Sequence, residues 1–338
     1  MAVDIAKLLA GIVILYWGAE WLIRGSAAIA RAFGVKPLVV GLTVVAYGTS
    51  APELAVATKT ALAHAQPIAL GTVIGSCAAN ISLILGLTAL ISPPTVDGRI
   101  IRREVPVLVG SAIAVPILFR NGVLSRLEGG LLVACAVVFT IVTLTVSARL
   151  SPDDLDDDDD ATASSSSSMT RSGPAASSGA LIGGKGRPRT SPTSASLMSA
   201  LGLVLLLAGS YFFVEGGRAI GAQVGMSERM LGLTVIAIGT ALPELIGSLV
   251  AASRGHAALA VGSVIGSNLL NVFLVLGVTA FLQPIRLGER MHLVDLVGLV
   301  VITLLGVTVL RGSRKITRLE GAVLVAAYVA FIVCAALL

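Results

Sequence analysis

Charge is what this chain has least of: Asp, Glu, Lys and Arg make up 13% of its 338 residues, about half the share of an ordinary soluble domain. With 55% apolar residues and a mean hydropathy of +0.94, that scarcity excludes a soluble enzyme or binding module. Cysteine is nearly absent too. Cys77, Cys135 and Cys334 stand singly inside apolar runs, which excludes a disulfide framework and a paired-cysteine metal site. The net charge of +5 comes from basic residues scattered through short loops. That is how membrane topology signals are distributed, so no nucleic-acid partner is expected. No small-residue cleavage site with a hydrophilic region after it follows the first apolar run, which reads as a span and not as a signal peptide.

What the chain does have is long apolar runs. At about 20 residues per crossing of a hydrocarbon layer about 30 Å thick, candidate spans fall near 6–23, 37–62, 67–91, 104–119 and 127–148. A second series falls near 196–214, 231–252, 257–282, 292–310 and 319–338. Between the series, residues 151–195 hold DLDDDDD, a serine run (Ser164–Ser168) and scattered Gly, Pro and basic residues. Such a stretch cannot bury apolar surface, so a disordered linker is expected. The acidic run Asp153–Asp160 lacks the loop glycine and ligand spacing of a calcium-binding hand.

The two series are copies. GLTVVAYGTSAPEL at Gly41–Leu54 returns as GLTVIAIGTALPEL at Gly232–Leu245, identical at 10 of 14 positions. GTVIGSCAANISLILG at Gly71–Gly86 returns as GSVIGSNLLNVFLVLG at Gly262–Gly277, identical at 9 of 16. An offset of 191 residues maps Gly18 onto Gly209, Glu53 onto Glu244, Asn80 onto Asn271 and Glu104 onto Asp295. After one inserted residue, Arg126–Gly129 matches Arg318–Gly321. The expected fold is therefore an all-α integral membrane protein with ten transmembrane helices in two five-helix halves, residues 1–150 and 196–338. An odd number of spans per half makes the second half inverted, an architecture of secondary transporters whose site lies at the midplane. Two thirds of the 24 Lys and Arg fall on the linker side when both termini are placed outside. The linker is then cytoplasmic and the protein a multi-pass component of the cell membrane.

Glu53 and Glu244 are the residues that most need a function. A carboxylate at bilayer depth costs roughly 2.5–3.5 kcal/mol on insertion scales, and each copy carries one directly after a proline. Oxygen-bearing residues lie four apart in each copy: Thr49 and Glu53, Ser76 and Asn80, Thr240 and Glu244, Ser267 and Asn271. Four apart means one helix face. A set of oxygens without sulfur or imidazole suits a hard cation such as Ca²⁺ or Na⁺ and is poor for zinc or copper. Pro52 and Pro243 lack an N–H and should free carbonyls around Ala46–Thr49 and Ala237–Thr240 from the helix ladder, breaking both helices at the midplane. Competing explanations assign less. A lone membrane Ser or Thr packs or bonds its own backbone. Gly71, Gly75, Gly262 and Gly266 suit close helix packing, Glu104 and Asp295 suit helix N-termini, and His64 and His256 do not coincide under the offset.

These residues resemble the sodium/calcium exchanger family of the cation/Ca²⁺ antiporter superfamily. GTSAPEL and GTALPEL look like its two alpha-repeat signatures, and GSCAAN and GSNLLN like the partner segments. The resemblance covers both halves and omits the linker. It implies four central ion sites, with ligands carried over to Thr49, Ser50, Glu53, Ser76 and Asn80, to Thr240, Glu244, Ser267 and Asn271, and to the carbonyls of Ala46 and Ala237. It also implies that the first helix of each half slides against the bundle to alternate access. Ala241 stands where the family usually has serine, so one hydroxyl ligand is missing. Asn271 stands where potassium-dependent relatives carry aspartate. Proton-coupled relatives show an Asn-Ala pair before the acid, so sodium coupling is implied.

The expectation is a secondary antiporter, not an enzyme, that extrudes Ca²⁺ in exchange for Na⁺, with a proton- or potassium-dependent calcium antiporter as the alternative. The ions are substrates, no cofactor is expected, and no obligate protein partner is evident beyond the lipid bilayer. An intramembrane protease would need aspartates in a Gly-x-Gly-Asp setting, and a passive channel would need no counter-ion.

Overall fold

The computed structural model describes residues 2–33, 37–96, 98–148, 192–287, 293–312 and 315–337. The acidic run and serine-rich part of the linker lie outside the described residues. In the first half, α1 (Ala2–Phe33) is followed by α2 (Pro37–Val40), α3 (Ala46–Thr49), α4 (Ala51–Leu62), α5 (Gln66–Ala78), α6 (Leu85–Ile91), α7 (Gly98–Leu118) and α8 (Arg126–Ala148). The second half repeats the series as α9 (Pro192–Gln223), α10 (Glu228–Leu231), α11 (Ala237–Thr240), α12 (Leu242–Ser253), α13 (Ala257–Leu270), α14 (Gly277–Leu282), α15 (Leu293–Gly312) and α16 (Arg318–Leu337). The joins α2–α3, α5–α6, α10–α11 and α13–α14 are turns of π-helix at Gly41–Val45, Ala79–Ile84, Gly232–Ile236 and Asn271–Leu276. They occupy matching places in the two repeats.

The chain is an all-α membrane protein. Among the described residues, seven helices are long and apolar enough to cross a bilayer, or eight if Gly232–Thr240 and Leu242–Ser253, bent by 47°, count as one span. The expected ten is not reached by this measure, for two physical reasons. Residues 37–62 are interrupted at Ser50, and α7 carries Arg99, Arg102, Arg103 and Glu104 in its first two turns. Starting at Gly98, α7 also places Glu104 beyond its N-terminal turn, with Arg103 at 3.7 Å, so the helix-end role fits Asp295 alone. The first helix of each half is longer than its apolar run. At 32 residues, each is about 48 Å long and outruns the hydrocarbon layer.

The repeats are related by a pseudo-twofold that shows in small details. Ser125 and Glu128 close a reciprocal capping box at the start of α8, and Thr317 and Glu320 close its copy at α16. Val123 pairs with Arg286, and the twofold mates Lys315 and Thr95 pair in the same way. α4 and α12 both end in a left-handed residue with the hydrogen bonds of a Schellman motif, Ala65 N–H to Thr60 O (2.9 Å) and His256 N–H to Ala251 O (2.8 Å). Gly255 fills that position in the second half, while the first half uses His64 at φ 60°. A side chain there is strained by roughly 1 kcal/mol. His64→Gly is expected to raise the melting temperature and Gly255→Ala to lower it; equal melting curves would contradict the strain.

The central layer is α5–α6 and α13–α14, whose spans are 94% buried, against 22–28% for α1, α8, α9 and α16. This explains why residues 66–91 and 257–282 carry no charged side chain on any side. Exposed aliphatics such as Leu9, Val13, Leu131, Val138 and Val204 form the outer face, where lipid takes the place of protein. α1 and α9 pack antiparallel along glycines seven residues apart, Gly11 against Gly209 and Gly18 against Gly202. At one end Glu20 of α1, 4% exposed, accepts from Arg24 (2.5 Å) and from Arg254 (2.6 Å), tying α1 to the end of α12.

Candidate ion-binding site

Each broken helix turns at one residue. Ser50 (φ −79°, ψ 1°) separates α3 from α4, and Ala241 (φ −83°, ψ 1°) separates α11 from α12. Pro52 and Pro243 follow in the first turn of the next helix, where a missing N–H does no harm. One turn of helix then sets Glu53 and Glu244 beside the central layer. Gly75 and Gly266 make the approach close enough: a Cβ on Gly75 would lie 2.6 Å from the Ala237 Cβ, and one on Gly266 would lie 2.9 Å from the Ala46 Cβ.

The predicted ligands come together, and they do so across the repeats. Thr49 Oγ1 lies 3.3 Å from Ser267 Oγ, and Ser76 Oγ lies 3.4 Å from Thr240 Oγ1. Glu53 lies beside the Ser76 and Thr240 hydroxyls and within electrostatic range of Glu244. Glu244 lies beside the hydroxyls of Thr49, Ser50 and Ser267. Asn80 and Asn271, both fully buried, sit at the starts of the two π turns of the central layer. Helix turns of this type recur at functional sites.

The carbonyls behave differently from the expectation. Ala46 O still accepts from the Ser50 N–H and Ala237 O from the Ala241 N–H, each at 3.0 Å. Ala237 O also accepts from Ser76 Oγ at 3.3 Å. Proline deprives the residue four back, which is Gly48 or Gly239, not Ala46 or Ala237. Gly239 O accepts instead from Ser210 Oγ at 3.1 Å. Ala46 and Ala237 are therefore not orphaned carbonyls: each accepts from a backbone N–H and from a threonine hydroxyl one turn on, Thr49 (3.4 Å) or Thr240 (3.3 Å).

The decisive feature is the state of the carboxylates. Glu53 and Glu244 are 0% exposed, and none of their four oxygens has a hydrogen-bond partner among the described residues. Ser50 Oγ and both amide atoms of Asn80 and Asn271 are likewise unpartnered. A buried polar atom left so costs about 1–3 kcal/mol, and a carboxylate more. Glu20 supplies the contrast, because two arginines satisfy that buried carboxylate. Sequence reading passed over Glu20, Asn268 and Ser248. Asn268 and Ser248 are also buried without partners, and the available signal was a polar residue facing Cys77 or Ala57 across the repeat. Two buried carboxyl groups beside hydroxyl oxygens from both halves are donors of the kind that hard cations take.

Known proteins of the same sequence pattern and fold place the chain in a family. The sequence pattern of the sodium/calcium exchanger protein family matches residues 4–145 and 194–337. The chain belongs to the sodium/calcium exchanger family. The chain is 31% identical over 356 residues to the sodium/calcium exchanger MaX1 of Methanosarcina acetivorans, covering 98% of each. It is 33% identical over 335 residues to CaxA, an antiporter candidate of Alkalimonas amylolytica, again covering 98% of each. Solved structures of the sodium-calcium exchanger NCX_Mj superpose with a TM-score of 0.76 at 29% identity, covering 98% of both chains. Membership makes the chain a multi-pass membrane antiporter of the cation/Ca²⁺ class.

Proposed function

We propose that this exchanger moves Ca²⁺ out of the cytoplasm across the cell membrane against entering Na⁺, by alternating access. The observation that carries the reading is the pair of buried carboxylates without protein partners, Glu53 and Glu244, with their hydroxyl pairs drawn from both halves. Two negative charges balance one Ca²⁺ or two Na⁺, so the ions compete for one set of oxygens and cannot be bound together. That competition is the coupling. Thr49, Ser50, Ser76, Asn80, Thr240, Ser267 and Asn271 complete the ligand set, with Ala46 and Ala237 carbonyls behind them. A sodium count above two per calcium makes the exchange electrogenic. Both termini face outward and the linker faces the cytoplasm, following the placement of basic residues. The α1–α9 pair is the element that shifts against the bundle.

Uptake of calcium-45 into proteoliposomes under imposed sodium, potassium or proton gradients tests the proposal. Outward sodium gradients are expected to drive uptake, and valinomycin-set potentials to change its rate. Uptake driven by a pH step without sodium would overturn the coupling ion. Ala241 adds a second test. Its twofold mate Ser50 lies beside Glu244, so Ala241→Ser restores a hydroxyl next to Glu53. About threefold tighter sodium activation is expected, the scale of one added hydrogen-bonding oxygen. Unchanged sodium activation would remove Ala241 from the site.

A further inference from the structure

The ligand set does not account for every buried hydroxyl without a partner. Ser248 (0% exposed) and Thr88 (1% exposed) have hydroxyls without a hydrogen-bond partner among the described residues. Ser248 lies one turn beyond Glu244 on the same face of α12. Thr88 lies on α6, which packs on α12. Two hydrogen bonds fix their register. Ser92, one turn past Thr88, donates to the carbonyl of Ala252, one turn past Ser248, at 3.1 Å. On the opposite seam Thr58 Oγ1 lies 3.4 Å from Thr279 Oγ1, and the 191-residue offset carries that pair onto Leu249 and Thr88. Thr88 therefore stands alongside residues 248 and 249. Glu244, Ser248, Thr88 and Ser92 therefore lie at successive levels of the α6–α12 seam over about 12 Å, from the buried carboxylate to half-buried Ser92. The twofold mate of Ser248 is Ala57, so the other seam is interrupted by a methyl group at that step.

We infer that Ser248 and Thr88 form a transient sodium site on the access route to Glu244. This rests on the exchanger reading and adds a station outside its ligand set. Neutral hydroxyls can replace part of the water around a monovalent ion, but they supply no charge to offset stripping water from Ca²⁺. The station thus favours sodium over calcium, and it serves one side of the membrane only.

The test compares Ser248→Ala, Thr88→Val and the double variant in proteoliposomes by two assays, sodium-driven calcium uptake and calcium–calcium exchange without sodium. In the double variant the sodium concentration for half-maximal uptake is expected to rise about fivefold. Calcium–calcium exchange is expected to stay at the wild-type rate, and Thr88→Ser, which keeps the hydroxyl, to behave as wild type. An unchanged sodium dependence overturns the inference. Parallel losses in both assays, or a loss in Thr88→Ser, also overturn it, by assigning the pair to packing. Wild-type protein inactive in both assays would instead sink the exchanger reading, a result independent of the variants.

Discussion

Glu53→Gln and Glu244→Gln are each expected to reduce sodium-driven calcium flux by at least about 100-fold while leaving the protein folded. Glutamine keeps the volume and one oxygen of glutamate, so packing against Ser76 and Thr240, or against Thr49 and Ser267, survives. What disappears is one of the two charges that offset the dehydration of Ca²⁺, and calcium affinity follows the number of charged ligands. Stability should move in the opposite direction. The two carboxylates lie buried within electrostatic range of each other and have no hydrogen-bond partner among the described residues, so a neutral amide removes an unfavourable term. In buffer free of calcium and sodium each variant is expected to melt at a higher temperature than wild type. The rise in melting temperature on adding calcium, which reports binding to the folded state, is expected in wild type and absent in both variants. Flux at the wild-type rate in either variant would remove the mechanism. A lower ion-free melting temperature would show that the carboxylates hold the fold together and are not strained by their burial.

The parts of the site legible in the sequence share one property: they are local and they occur twice. Glu53 and Glu244 stood out because a charge in an apolar run is rare, and the Thr, Ser and Asn partners because four-residue spacing is a helix face. The fold class followed from the same duplication. Three features left no such trace. The π turns at Ala79–Ile84 and Asn271–Leu276 have no residue signature, yet each holds an asparagine of the site at its first or second position. Glu20 resembles Glu53 in a hydropathy reading; Arg24, one turn on, is a local partner, but Arg254, 234 residues away, is one that the fold alone reveals. Proline was credited with freeing carbonyls around Ala46–Thr49 and Ala237–Thr240; within those ranges it deprives Gly48 and Gly239, while Ala46 and Ala237 keep the N–H groups of Ser50 and Ala241. Helix ends were misjudged for a related reason. The apolar run 6–23 ends before Arg24, whereas α1 continues past the Glu20–Arg24 ion pair to Phe33.

Gly202→Val is expected to disrupt the fold more than any change at the ion site. The glycines Gly11, Gly18 and Gly25 of α1 and Gly202 and Gly209 of α9 recur every seven residues, so each falls on the face that meets the partner helix. A Cβ on Gly202 would lie 2.3 Å from the Leu22 nitrogen and 2.7 Å from the Gly18 oxygen, both backbone atoms that cannot rotate away. In lipid, helices gain little by hiding apolar surface from one another, and close backbone approach is what holds such a pair together. Forcing the two 32-residue helices apart loses dispersion contacts along their length. A loss of more than about 3 kcal/mol is expected for valine and about 1–3 kcal/mol for alanine, the range for overpacking. Gly110, on α7, is the control: nothing lies within 4 Å of a Cβ there, and Gly110→Ala should be neutral or slightly stabilising, since glycine weakens a helix interior. Thermal unfolding of the purified variants in detergent separates these outcomes. If Gly202→Val melts with wild type, α1 and α9 do not meet along this seam, and a pair that shifts as one body loses its basis.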